Sequence, residues 1–134
     1  MRILIAVLAT VAVLAGCGFD VQSADLFQVT RFGQGQKLTL RVNDGGTIAC
    51  NGGKPKSLPD PLLLEARDLA TNLNQDAKAK LRFPASARSV FSYTVKVPNG
   101  TFTFPDTAAV ARKELSQLEL FVIRAAADPC GIAA

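Results

Sequence analysis

The chain has 134 residues, with 15 Lys and Arg against 11 Asp and Glu, a formal net charge of +4. It contains no histidine, which removes the commonest general base of enzymes and the commonest metal ligand. The positive charges are scattered, whereas nucleic-acid binding is typical of dense basic faces with interleaved aromatic residues. We therefore expect no nucleic-acid partner.

The first segment has the pattern of a secretory signal. Arg2 supplies a positive charge, and residues 3–15 are apolar apart from Thr10. This run is too short for a transmembrane helix, which needs about 20 apolar residues. Leu14-Ala15-Gly16-Cys17 then resembles the lipobox of bacterial lipoproteins. The resemblance implies cleavage before Cys17, diacylglycerol on its thiol, and anchoring to the cell membrane on the extracytoplasmic face.

Removal of this signal peptide, residues 1–16, leaves 118 residues with a net charge of +3, enough for one domain. Residues 17–25 are expected to form a short lipidated tether, and residues 26–134 a single domain. The alternative is an ordinary signal peptide cut near Ala15, which would leave Cys17 as a spare thiol.

The chain has three cysteines, Cys17, Cys50 and Cys130. If Cys17 carries lipid, two remain in a compartment that permits oxidation, and we expect a disulfide between Cys50 and Cys130. Two free buried thiols are the alternative. Two cysteines 80 residues apart do not make a zinc site, and we expect neither a metal nor a cofactor.

The first part of the domain is expected to be β-structure, with strands at residues 26–32, 37–42 and 47–50. In the second strand apolar residues 38, 40 and 42 alternate with polar residues 37, 39 and 41, which is typical of a half-buried strand. Asn43-Asp44-Gly45-Gly46 indicates a hairpin turn, because Asn, Asp and Gly tolerate positive φ. Residues 51–56 are expected to be a loop.

A helix is expected after this loop. Ser57-Leu58-Pro59-Asp60 resembles a capping box, while Asp60-Pro61 could equally be N-cap and first helical residue. One apolar stripe follows at helical spacing and predicts the buried side: Leu62, Ala66, Leu69 and Leu73. Residues 76–80 could add a further turn.

Val90 to Val97 is the clearest strand, and a turn at residues 98–100 leads to a partner strand at residues 101–104. Asp106 or Thr107 is expected to cap a second helix at roughly residues 108–127. Its predicted buried stripe is Ala111, Leu115, Leu118, Val122 and Ala125. The order βββ-α-ββ-α indicates an α+β fold, an antiparallel sheet with two helices packed on one face.

No catalytic residues are expected. The acids are spread singly, and Asp60, Glu65 and Asp68 lie near a helix N-terminus, where the helix dipole favours them. The serines have no visible base partner. We therefore expect a protein that is not an enzyme.

Two resemblances extend beyond the lipobox. Residues 26–31, 43–53 and 128–131 resemble small secreted bacterial lipoproteins of an uncharacterised family, which implies no activity. The segment Tyr93 to Val97, Gly100 and Phe102 to Phe104 is similar in architecture to emfourin-type inhibitors of metalloproteases. Those inhibitors use a free N-terminal region, whereas the start of this mature chain would be acylated.

These observations predict a membrane-anchored lipoprotein with a non-enzymatic binding module. Its expected partners are the membrane, through Cys17, and an unidentified envelope protein or small ligand. A protease inhibitor of emfourin-like type is the alternative.

Overall fold

A computed structural model describes residues 23–133. The signal peptide, the lipidation residue Cys17 and most of the tether lie outside the described residues. In chain order the elements are β1 (Asp25–Gly33), β2 (Gln36–Asn43), β3 (Thr47–Cys50), β4 (Lys56–Ser57), α1 (Asp60–Lys78), β5 (Ser92–Val97), β6 (Gly100–Pro105), a 3₁₀-helix (Asp106–Val110) and α2 (Lys113–Ala127).

The six strands form one antiparallel sheet in the order β4-β3-β2-β1-β5-β6. The register places Val29 of β1 between Leu40 of β2 and Val95 of β5. The apolar residues of one sheet face and those of both helices belong to a single buried core. The predicted α+β fold, with its helices on one face of an antiparallel sheet, is confirmed.

Aromatic contacts tie the helical layer to the sheet. Phe27 of β1 meets Phe121 of α2 edge to face, with ring centroids 5.6 Å apart. Tyr93 of β5 stacks on Phe104 of β6 at 5.1 Å. Such pairs add to the free energy of burying the rings. Tyr93 is therefore a core residue.

The second helix differs from the prediction. A 3₁₀-helix occupies residues 106–110, and α2 begins only at Lys113, so Ala111 is exposed and lies outside the buried stripe. Arg112 has an extended backbone (φ −134°, ψ 118°), which separates the two helical segments. The side chain of Asp106 accepts hydrogen bonds from the amides of Val90 and Phe91 at 3.0 Å each. These residues are thereby held outside β5, which begins at Ser92.

The capping of α1 also differs. Ser57 belongs to β4, where it pairs with Thr47, so it cannot cap a helix and the capping box is wrong. The N-cap is Pro59, with no side-chain cap, and Asp60 is the first helical residue. Pro61 lies in the first turn, where its missing amide proton costs nothing. The two-residue strand β4 begins at Lys56, the last residue of the loop predicted at residues 51–56.

No helix among residues 23–133 is both long and apolar enough to cross a membrane.

Candidate binding surface

The sheet presents a second face, opposite the helical layer, and we call it the open face. It carries the side chains that alternate with the core residues. On the four long strands these are Gln28, Thr30, Phe32, Lys37, Thr39, Arg41, Ser92, Thr94, Lys96, Thr101 and Thr103. The strand alternation forces this separation, because successive side chains point to opposite faces of a sheet.

A row of four threonines crosses the open face. Thr39, Thr30, Thr94 and Thr103 are successive register partners on β2, β1, β5 and β6. The hydroxyls of Thr30 and Thr39 lie 3.3 Å apart, and those of Thr94 and Thr103 lie 3.0 Å apart. Thr30 is only 8% exposed, so the accessible hydroxyls are those of its three partners. β-Branched threonine fits a pleated surface and still offers a polar atom to solvent.

Three cations stand on the same face. Arg41 and Lys96 flank Gln28 from the two neighbouring strands, and both are exposed. Lys37 lies at the far end of β2, its ammonium 5.5 Å from the centre of the Phe32 ring. The ring is 42% exposed, so this is a weak surface cation–π contact.

Two shallow depressions meet at Arg41. One of about 670 Å³ includes Ser23, Thr47 and Pro55 in its lining, and one of about 410 Å³ includes Gln28 and Lys96. Asp25 lines both, and its carboxylate lies 3.9 Å from the Arg41 guanidinium. Both partners are about half exposed, so the pair is screened and leaves the Arg41 charge accessible.

A cluster between the helices holds two carboxyls, Asp76 and Glu114, whose pKa values are shifted in opposite directions. Arg112 donates to Asp76 at 2.9 Å and to Glu114 at 2.8 Å. Burial and, after it, the neighbouring Glu114 carboxyl raise the pKa of Asp76 to about 6, against the opposing effect of Arg112. Although burial opposes it, hydrogen bonds from its own backbone amide, Asp76 and Arg112 hold the pKa of Glu114 below its usual range.

Two acids with separated pKa values are a pattern found in acid–base catalysis. Here, however, Asp76 is only 6% exposed, and its Oδ2 atom is buried without a partner. A proton on Asp76 gives this oxygen a partner, because the neutral Asp76 carboxyl can donate a hydrogen bond to Glu114. The cluster therefore joins the end of α1 to the start of α2.

A second perturbed carboxyl is that of Glu119 on α2, whose Oε1 atom is buried without a hydrogen-bond partner. Burial, and after it the charge of Asp106, raises the pKa of Glu119 to about 7. Burial, and after it Glu119, raises the pKa of Tyr93 to about 12.

Arg31 is 7% exposed and stacks at 4.6 Å on the Phe91 ring. Within residues 23–133 no carboxylate lies within 4.0 Å of this guanidinium.

The Asn43–Gly46 turn forms where it was predicted. Asn43 accepts from the Gly45 amide at 2.8 Å and donates to the Ser23 carbonyl at 2.6 Å. Asp44 accepts from Arg67 of α1 at 2.8 Å. These contacts hold the turn and the start of the described chain.

The structure brings the sulfurs of Cys50 and Cys130 to disulfide distance, with Cα atoms 5.8 Å apart. Cys50 ends β3 on the core side of the sheet, and Cys130 follows α2. The pair therefore ties the end of the chain to the sheet. Within the part of the chain that the structure describes, no group of three His, Cys, Asp or Glu could hold a metal ion.

The emfourin-like segment forms β5 and β6 as expected, followed by the 3₁₀-helix and α2. Its aromatic residues Tyr93, Phe102 and Phe104 are buried and serve the core. Inhibition of metalloproteases stays a prediction.

Comparisons with protein-family models, with curated proteins and with solved structures find no match to this chain. The lipoprotein interpretation therefore rests on the sequence pattern that ends at Cys17.

Proposed function

We propose that this protein is a lipid-anchored extracytoplasmic protein whose single domain acts by binding and not by catalysis. The anchor is proposed on Cys17, from the lipobox pattern of the sequence. The binding surface is the open face of the sheet. An envelope component is the partner that such a location makes available.

The observation that carries the proposal is the one-sided cover of the sheet. Both helices pack on one face, and no element among residues 23–133 covers the other. That face is regular and rigid, because β1 at its centre is paired on both sides. It presents hydroxyls and cations in fixed rows, a suitable arrangement for contact with a polar surface or an extended ligand.

Absence of histidine from the chain also supports binding over catalysis. The two carboxyls of the described residues whose pKa is raised are engaged with other groups of the domain: Asp76 with Arg112 and Glu114, and Glu119 beside Tyr93. Neither lies on the open face.

A photocrosslinking residue placed on the open face tests the proposal in intact cells. Thr101 is exposed on β6, and Thr71, exposed on α1, is the matched control on the helical layer. We expect irradiation to give adducts at position 101 that are absent or several-fold weaker at position 71, with protein and lipid adducts both scored. Equal adduct yields at the two positions, or none at position 101, would contradict a binding role for the open face.

A further inference from the structure

Charge is divided unequally between the two layers of the domain. Of the 11 Asp and Glu residues, four lie in α1, one in the 3₁₀-helix and two in α2. On the four long strands the one carboxylate is Asp25, at the start of β1. The open face carries Lys37, Arg41 and Lys96. The helices also carry Arg67, Lys78, Lys113 and Arg124, which offset four of these seven acids, whereas the three cations of the open face have only Asp25 beside them among the described residues.

The described chain begins beside these cations. Ser23 is held by Asn43 at the end of β2, and Ser23 and Arg41 line the same depression. Six residue steps separate Ser23 from Cys17, and an extended chain spans at most about 3.6 Å per residue. A lipid on Cys17 would thus place the bilayer surface within about 20 Å of Ser23. Because the screening length is about 8 Å at physiological salt, small rotations of the domain decide which charges feel the surface.

We infer that the open face is turned toward anionic lipid headgroups and binds them through Lys37, Arg41 and Lys96. The inference rests on the proposed lipid anchor, since the anchor supplies the high local concentration of headgroups. The occupant is a membrane surface because the tether ends at this face and because the charges are complementary. Phe32 is the one large apolar side chain on the face, so contact is at headgroup level, without insertion.

Each lysine or arginine close to an anionic surface favours contact by about five-fold. Three such residues together favour the orientation with the open face toward the membrane by about a hundred-fold. In the opposite orientation the helical layer, which has cations beside its carboxylates, would gain no comparable attraction to the headgroups.

Lysine reactivity measures this orientation without a reporter. The mature protein, extracted from membranes as the cell makes it, is placed in vesicles of phosphatidylcholine alone or mixed with phosphatidylglycerol, and lysine acylation is followed by mass spectrometry. Lys37 and Lys96 report on the open face, while Lys78 and Lys113, exposed on the helices, are internal controls. We expect Lys37 and Lys96 to react at least about ten-fold more slowly in the anionic vesicles, with little change at the controls.

The protection should disappear in about 1 M salt, where the screening length falls to about 3 Å. Arg41→Gln should weaken it about five-fold at Lys37 and Lys96, whereas Lys78→Gln should leave it unchanged. Protection that is equal in the two vesicle types, that persists in high salt, or that falls on Lys113 would overturn the inference.

Vesicle flotation distinguishes a failure of the inferred orientation from a failure of the proposed lipid anchor. A protein that does not float with either vesicle refutes the lipid anchor itself. A protein that floats with both, and whose Lys37 and Lys96 react as fast as Lys113 in anionic vesicles, refutes the orientation and leaves the anchor standing.

Discussion

Replacement of Asp76 by Asn is expected to stabilise the protein above neutral pH. Asp76 is a buried residue of α1, and its Oδ1 atom accepts a hydrogen bond from Arg112. Its Oδ2 atom has no hydrogen-bond partner when the carboxyl is ionised. An asparagine keeps the acceptor for Arg112 and adds an amide donor for Glu114. The variant therefore removes the repulsion between the two carboxylates without breaking the contact between the helices.

The magnitude follows from the pKa of Asp76, which is raised from 3.8 to about 6. A shift of about 2 units corresponds to about 3 kcal/mol of differential interaction between the two protonation states. The pKa of Glu114 moves in the opposite direction and offsets part of this energy. We therefore expect Asp76→Asn to raise the free energy of unfolding by about 1 to 2 kcal/mol near pH 8.

The pH dependence has a definite sign. Because the pKa of Asp76 is higher in the folded state, protonation favours folding, and the stabilisation present below about pH 4 is lost as pH rises through about 6. The asparagine variant lacks this titration, so its advantage over the wild type should shrink as pH falls from about 8 to 4. Glu119 titrates near 7 in both proteins, and the difference between the two curves removes its contribution.

Urea unfolding at several pH values measures both quantities, with Asp68→Asn, exposed on the same helix, as the control. The control should change the free energy of unfolding by less than about 0.5 kcal/mol at every pH. If Asp76→Asn destabilises the protein near pH 8, or shows the same pH slope as the wild type, the carboxyl-pair reasoning is wrong.

Two further predictions concern the core and the cysteine pair. Replacing both Cys50 and Cys130 by Ala should lower the free energy of unfolding by about 4 kcal/mol, since the cross-link closes a separation of 80 residues. A loss below about 1 kcal/mol would contradict a formed disulfide. Phe121→Ala should cost about 3 to 5 kcal/mol because the ring is fully buried against Phe27, while Leu120→Ala, next to it and 54% exposed, should cost under about 1 kcal/mol. Thermal unfolding checks this contrast, and similar losses for the two variants would refute the assigned helix face.

Local patterns in the sequence were sufficient for most of the fold. Alternation in residues 37–42 and the Asn43–Gly46 turn place β2 and β3 correctly, because both signals depend on neighbouring residues alone. Residues 66, 69 and 73 of the predicted stripe are buried in α1. The start of α2 could not be predicted in the same way, since the chain is extended at Arg112, whose side chain binds the distant Asp76 as well as Glu114.

The capping of α1 failed for a related reason. Ser57-Leu58-Pro59-Asp60 has the local chemistry of a capping box, but pairing of Ser57 with Thr47 uses this residue in the sheet. A tertiary contact overrides the local preference.

The candidate surface was foreseen in outline only. The polar side of β2 is visible in the sequence, but the threonine row requires the order of strands that brings residues 30, 39, 94 and 103 side by side. The carboxyl pair was missed because Asp76 and Glu114 lie far apart in the chain and meet through Arg112. Glu119 was missed because it occupies an ordinary helical position between apolar residues.

The intact mass of the protein extracted from membranes tests the proposed anchor most directly. We expect a chain that begins at Cys17, carries a diacylglycerol group there, and gains the mass of about two hydrogens on reduction as Cys50 and Cys130 separate. A mature chain that begins elsewhere, or that retains a free Cys17 thiol, would contradict the anchor and with it the orientation of the open face toward the membrane.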